Sequence, residues 1–314
     1  MKIAITGASG FVGSFLVKEL NTRKYFINGL SRKKREPLSD EFKWYQGDIN
    51  NKKLLRDFLK DCEVVCNCAG EISNTNNFQQ TNIEGVKTLY KASIDSKVNL
   101  FIQLSSGGIY SDLSKGEITE QTQICGKNDY EKSKIEIEEW LKKQTGIKTV
   151  LLRPTTVYGA EMPNDSLKGL FRAILNKKFF HIGSKKSYSC YISIDNLVSA
   201  IILLIEERSK LINKIGHYHA YNLSHDIFYQ DFIAFAAKAL NSKQSFYRFP
   251  LWLILFLLNV NKFSFNLELP LTENRAKTLS RRSTFSSQKF QQDFSWSPLK
   301  THNESIKECV DKWF

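Results

Sequence analysis

Along the first half of the chain, short apolar runs rich in β-branched residues alternate with longer stretches whose apolar positions recur at helical spacing. The runs at residues 2–6, 26–30, 63–68, 100–105 and 148–153 predict strands, and the stretches at 12–21, 81–96 and 130–145 predict amphipathic helices. Strand and helix taking turns implies an α/β fold, because each crossover helix covers one face of a parallel sheet. Right-handed crossovers then give a doubly wound sheet that binds ligands beyond the carboxyl ends of its strands. Past residue 154 the rhythm loosens, with Pro154, Gly159 and Pro163 punctuating loops ahead of a helical stretch at 167–176. Residues 191–194 and 217–223 regain strand character, and either return to the sheet or pair locally. From Asp226 onward the pattern is mostly helical with polar connections. Lacking a Pro/Gly/Ser-rich linker, this tail is expected to form a smaller lobe attached to the sheet.

Composition changes this picture little, charge more. A chain of 314 residues with 42% hydrophobic content can bury a large core without disulfides. Its six cysteines show no CxxC spacing, and Cys66 and Cys68 share one face of a predicted buried strand, so reduced core thiols and no metal are expected. No basic and apolar leader precedes the first strand, which implies a cytoplasmic protein. The formal charge of +13 raises nucleic acid, anionic membrane and small polyanions as partners. The basic residues are spread in short pairs, Lys142-Lys143, Lys177-Lys178, Lys185-Lys186 and Arg281-Arg282, which points to a phosphorylated ligand and solvated faces and away from nucleic acid. The longest apolar stretch, Phe249 to Val260, falls short of the roughly 20 residues that a spanning helix needs. A buried helix opened by Pro250 is expected there, with a peripheral membrane or partner contact as the alternative.

Chemistry enters after the first strand. Thr6-Gly7-Ala8-Ser9-Gly10-Phe11-Val12-Gly13 places three glycines between a predicted strand and a predicted helix. Gly7 permits a tight turn, Gly10 lets the backbone approach a pyrophosphate, and Gly13 lets the helix pack closely on the sheet. Together with Ser9, Phe11 and Val12 they form the expected dinucleotide loop. The second strand runs into Gly29-Leu30-Ser31-Arg32-Lys33-Lys34-Arg35, where NAD-specific proteins place an acid on the ribose hydroxyls. Ser31 and Arg32 would instead hydrogen-bond a 2′-phosphate with charge assistance. NADP(H) is therefore favoured, with NAD(H) as the alternative. Asp48, in Gln46-Gly47-Asp48-Ile49 after the next predicted strand, is placed to accept a hydrogen bond from the adenine amino group.

Tyr130-Glu131-Lys132-Ser133-Lys134 sets Tyr130 and Lys134 on one helix face. A free tyrosine titrates near pH ~10, and shuttles protons at neutral pH only when a cation stabilises the phenolate. A neighbouring ammonium does that. Leu104-Ser105-Ser106-Gly107-Gly108-Ile109-Tyr110 follows an apolar strand, and Ser106 there can hydrogen-bond a substrate carbonyl and position it for protonation by Tyr130.

In these motifs the sequence resembles the extended short-chain dehydrogenase/reductase family, in particular its NAD(P)-dependent nucleotide-sugar epimerase, dehydratase and reductase branch, over nearly the whole chain. The resemblance implies a Rossmann-type doubly wound sheet. Residues 1–160, with later returns near 190–205 and 217–224, would bind NADP(H), and residues 161–314 would form a mainly substrate-binding lobe. It also implies that Asp48-Ile49 contacts adenine, that Cys68-Ala69-Gly70 is the strand end beside the cofactor, that Asn82 shapes the site and that Ser105 and Pro154 contact the cofactor. Arg153-Pro154 resembles the strand end leading to nicotinamide and substrate, and Ile192-Ser193-Ile194-Asp195 the segment before a late helix. Two departures matter. Dehydrating members carry an Asp-Glu pair directly after the catalytic hydroxyl residue, and Gly107-Gly108 stand there, so 4,6-dehydration is not expected. Related epimerases often carry an arginine for the substrate diphosphate where this chain has Tyr188-Ser189, which leaves that duty to Lys185, Lys186, Arg281 or Arg282.

The leading expectation is NADPH-dependent reduction of a keto group, at C4, of a nucleotide-activated deoxysugar. Tyr130 would supply the proton, Ser106 would orient the carbonyl, and Lys134 would assist Tyr130 and hold the nicotinamide ribose. A nucleotide-sugar 4-epimerase would use the same residues. Reduction of an apolar carbonyl compound is a third reading, given the 249–260 stretch. NADP(H) sensing without turnover is a fourth, against which the intact Ser106, Tyr130 and Lys134 argue. Homodimers are common in the family.

Overall fold

Residue parity along each strand decides which way its side chains go. In a computed structural model describing residues 1–33, 35–36, 39–110, 115–214, 216–243, 247–262 and 271–314, seven parallel strands form one sheet. They are β1 (Lys2–Thr6), β2 (Phe26–Ser31), β3 (Phe42–Gln46), β4 (Val64–Asn67), β5 (Leu100–Leu104), β6 (Lys148–Pro154) and β7 (Tyr218–Leu223), in the order β7-β6-β5-β4-β1-β2-β3. Ile3, Ile5, Val64, Cys66, Leu100, Ile102, Val150 and Leu152 enter the core on one face. The alternate residues Ala4, Val65, Phe101 and Leu151 enter the core on the other. Both faces are apolar because both are covered, as a parallel sheet requires. Leu16, Val17 and Leu20 of α1 (Phe11–Thr22) and the helix Ile194–Glu206 cover the first. Residues of α2 (Lys52–Phe58), α3 (Gly85–Asp95) and α4 (Asp129–Lys142) cover the second.

The chain moves outward from β1 through β2 to β3, then returns to build β4 to β7 on the other side. That reversal leaves a crevice beyond the carboxyl ends of β1 and β4, the place where such sheets bind ligands. Of the two later strand-like segments, Tyr218–Leu223 joins the sheet as β7, while Tyr191–Ser193 pairs locally with Thr156–Tyr158. The predicted helix 81–96 begins instead with a π-helical turn, Gln79–Glu84, ahead of α3. Cys62, Cys66, Cys68, Cys190 and Cys309 are free thiols.

The lobe has its own core, in which Phe171, Ile174, Phe232, Ala236, Ile306 and Val310 pack together. His302 ties it to the sheet side. Its Nε2 lies against the His225 carbonyl, so Nδ1 accepts the hydrogen bond from the Tyr158 hydroxyl at 2.8 Å. Burial pushes the His302 pKa down to about 4. The expectation for residues 249–260 is corrected. Pro250 does open the helix Leu251–Val260, but Ile254 alone is buried, because apolar residues run right round the helix and only one stripe meets the lobe. Among the described residues no helix is long and apolar enough to cross a membrane.

Candidate active site

The loop from β1 to α1 is shaped by what its glycines lack. Gly7 has φ 61°, and a Cβ there would stand 2.7 Å from the Cys68 carbonyl carbon and the Ala69 nitrogen. A Cβ on Gly13 would stand 2.1 Å from the Gly7 oxygen. Gly13 therefore lets α1 press on the loop itself, where close packing on the sheet had been expected. The loop closes with Gly10 donating to the Gly7 carbonyl at 2.8 Å. No side chain caps α1 and no acid sits in its first turn, so its N–H groups remain for an anion. This cradle suits a dinucleotide pyrophosphate.

The cleft of about 210 Å³ around it is lined by Gly7, Ser9, Gly10, Ser31, Arg32 and Asp48, together with Ile49 and Cys68-Ala69-Gly70. Ser9 and Ser31 hydroxyls meet at 3.2 Å. Arg32 is exposed, with no carboxylate paired to it among the described residues, and Lys34 of the same predicted loop lies outside them. Asp48 keeps one carboxylate oxygen on Asn50. Glu71 also lines the cleft, but its carboxylate is occupied by the N–H groups of Ile72, Ser73 and Asn74, which hold its pKa below the usual range. Phe11 and Val12 contribute the first turn of α1 rather than cleft lining.

Tyr130 and Lys134 sit at the start of α4, fixed by a capping box in which Asn128 accepts from the Glu131 N–H at 2.8 Å and Glu131 reaches back to the Asn128 backbone. Lys134 Nζ stands 5.7 Å from the Tyr130 ring centre and donates to the Leu104 carbonyl at 3.2 Å. It borders the cofactor cleft, 3.4 Å from where a Cβ on Gly70 would lie. Asn82, on the π-helical turn, accepts from the Glu71 N–H at 2.8 Å and donates to the Glu71 carbonyl and the Ser133 hydroxyl. It thereby clamps the cofactor loop to α4. Ser106 Oγ accepts from the Gly108 N–H at 3.0 Å, and Gly108 itself lies between Ser106 and Glu131. Ser105 is buried, donates its N–H to the Leu152 carbonyl and lines neither cleft.

Ser106 opens onto a second cleft of about 200 Å³, lined by Gly107-Gly108, Pro154, Tyr188, Ser189, Tyr191, Tyr229, Leu279, Arg281 and Phe285 among others. Of the four proposed phosphate ligands, the structure brings only Arg281 here. Lys185 and Lys186 lie on an exposed turn, and Arg282 is exposed on a strand paired with Lys115. Two residues not assigned from sequence stand out. The hydroxyls of Tyr229 and Ser189 are buried at the cleft without a hydrogen-bond partner among the described residues, which is costly unless a polar ligand satisfies them. Burial raises the Tyr229 pKa well above its ordinary value, so it stays a neutral donor. A tyrosine among inward-facing apolar helix positions reads as core, and nothing in the sequence marks it otherwise. Arg153 belongs to the strand end expected to lead to nicotinamide and substrate, whose Pro154 lines this cleft, and it pairs with Glu138 of α4 through Nε at 3.1 and 3.2 Å, with Nη1 on the Tyr110 hydroxyl. It holds β6, α4 and the end of the Ser106 loop together.

The class defined by this fold and site is an NAD(P)-dependent enzyme of the extended short-chain dehydrogenase/reductase type. The chain belongs to the NAD dependent epimerase/dehydratase family, whose model matches residues 3–223. A UDP-glucose 4-epimerase of Vibrio cholerae is 29% identical over 218 residues, 65% of this chain and 66% of that enzyme. A low-salt glycan biosynthesis protein of Haloferax volcanii is 27% identical over 150 residues, 43% of this chain and 48% of that protein. The solved structure of UDP-glucuronic acid 4-epimerase from Bacillus cereus in complex with NAD shares the fold, with a TM-score of 0.75 at 19% identity over 100% of this chain and 98% of that one.

Proposed function

We propose that the protein reduces a keto group, at C4, of a nucleotide-activated deoxysugar, drawing on the cytoplasmic NADPH pool. The observation that carries this reading is the end of β2, where Ser31 and Arg32, which has no carboxylate partner among the described residues, line the cofactor cleft at the position an NAD-specific protein gives to an acid. Bound NADPH supplies the hydride. Ser106 donates a hydrogen bond to the substrate carbonyl oxygen, and Tyr130 passes its phenolic proton to that oxygen. Lys134, held by the Leu104 carbonyl, steadies the phenolate left behind and would hold the nicotinamide ribose. Arg281, with the Tyr229 and Ser189 hydroxyls, receives the diphosphate and sugar. Gly107-Gly108 offer no acid or base for dehydration.

Similarity to a UDP-glucose 4-epimerase favours a second reading, in which the same three residues serve oxidation and re-reduction at C4. The two differ in the fate of the cofactor. The purified protein is to be incubated with a panel of nucleotide 4-keto sugars and NADPH while absorbance of the reduced cofactor is followed. One NADPH should be consumed per sugar reduced. Tightly bound NAD⁺ on purification, with interconversion of 4-hydroxy epimers and no added NADPH, would overturn the reductase in favour of the epimerase.

A further inference from the structure

The helix Leu251–Val260 carries more apolar surface than its packing uses. Ile254 is buried, and Leu251, Leu255 and Leu258 pack beside it against Ile182, Ala276 and Leu279, forming an inward stripe at helical spacing. The opposite face is as apolar. Trp252 is 69% exposed, Phe256 59% and Leu257 53%, with Tyr247 just ahead of the helix at 74%. Contiguous apolar exposure of this kind marks an interaction surface. Its surroundings say which kind. The segment 247–262 contains Arg248 and Lys262 and no acid. Gly183 donates to the Phe249 carbonyl at 2.9 Å, which sets the exposed Lys185-Lys186 pair beside the start of the helix. The same short segment, whose Phe180 ring lies 5.3 Å from Phe249, is preceded by the exposed pair Lys177-Lys178.

We propose that this face docks on an anionic lipid surface, the helix lying in the plane of the membrane with Trp252, Phe256 and Leu257 inserted and the lysine pairs against the headgroups. At ~1.5 Å per residue the helix is about half as long as the ~30 Å of a hydrocarbon core, so it lies on the membrane rather than across it. An apolar face flanked by cations, with Trp and Tyr at the boundary, is the composition that binds an interface. The protein's +13 charge acts in the same direction. A second copy is the poorer occupant, since self-association would bring like-charged lysine pairs together. Docking would place lipid one helix away from the substrate cleft, because the helix Glu273–Leu279 beneath it contributes Thr278 and Leu279 to that cleft.

The test is sedimentation of the full chain with vesicles of phosphatidylcholine alone or mixed with phosphatidylglycerol, at low and high salt. Binding should require phosphatidylglycerol, weaken with salt and shift tryptophan emission to shorter wavelength. It should fall about tenfold or more in the Trp252→Ser/Phe256→Ser/Leu257→Ser variant with the thermal midpoint unchanged. Should that variant fold poorly, Lys185→Glu/Lys186→Glu should lower vesicle binding to a similar degree. The proposal is overturned if wild type ignores phosphatidylglycerol vesicles, or if folded variants bind them as wild type does. It is equally overturned if wild type is a dimer in solution that the triple variant turns into a monomer, which would make this face a contact between copies.

Discussion

The two clefts, one beside Gly70 near Lys134 and one beside Gly108 near Glu131, are built from different materials. The cofactor cleft is largely backbone. Gly7 and Gly13 are required because other backbone atoms occupy the space of a side chain, and the site opens where the strand order reverses. The second cleft is assembled from distant parts of the chain. Its residues come from the ends of β5 and β6, the 188–191 segment, Tyr229, the end of the helix Glu273–Leu279, Arg281 and Phe285, brought together only by tertiary packing. Backbone requirements leave short, local traces in a sequence, whereas convergence of distant side chains leaves none. The first cleft can thus stay constant while the second changes its ligand.

The sharpest way to separate the two is to disable chemistry while leaving both clefts standing. Tyr130→Phe should lower turnover by roughly 10²–10⁴, the usual worth of a positioned acid, with NADPH affinity nearly intact by fluorescence titration. Turnover within twofold of wild type would remove Tyr130 from the mechanism. Next in size is the joint between the halves. Burial works against the Arg153 charge, and Glu138 more than offsets it, leaving the pKa above its ordinary value. Glu138→Gln would strand that charge and should cost about 3–5 kcal/mol in denaturant unfolding. A loss under about 1 kcal/mol would show that the pair is dispensable.

These two residues also mark what the sequence disclosed. Tyr130 and Lys134 announce themselves because chemistry fixes their spacing on a single helix. Glu138 and Arg153 gave no such notice, since their pairing depends on where β6 passes α4. Likewise, strands β1, β4, β5 and β6 were readable in their apolar runs, while the π-helical turn at Gln79–Glu84 was hidden in a continuous helical pattern. Four cations were candidates for substrate phosphate, and only packing singles out Arg281. The 249–260 helix misled because its composition is that of a core helix, and composition does not reveal how much neighbouring structure exists to cover it.

The lobe should also respond to pH through His302. His302 is neutral in the fold with a pKa of about 4, against an ordinary value near 6.5. The unfolded chain therefore takes up the proton first. Stability from this site is complete above about pH 6.5 and is lost as pH falls toward 4, on the order of 3 kcal/mol in all. Unfolding midpoints should drop more steeply over that range in wild type than in His302→Gln; parallel curves would count against it. The smallest effect belongs to the cofactor cleft. Arg32→Ala should weaken NADPH binding by about ten- to a hundredfold, or roughly 1.5–3 kcal/mol, and leave NADH almost unchanged. Equal loss for both cofactors, or none, would make Arg32 a solvated residue.

In the proposed reduction hydride crosses once, from a consumed NADPH to a sugar carbon. NADPH deuterated at nicotinamide C4, incubated with a nucleotide 4-keto sugar and the wild-type protein, tests it by mass spectrometry and NMR of the product. Deuterium should appear at C4 of the product sugar, with one NADP⁺ formed per label transferred and no transfer by Tyr130→Phe on the same timescale. Epimer exchange that leaves added NADPH unconsumed and the sugar unlabelled would contradict it.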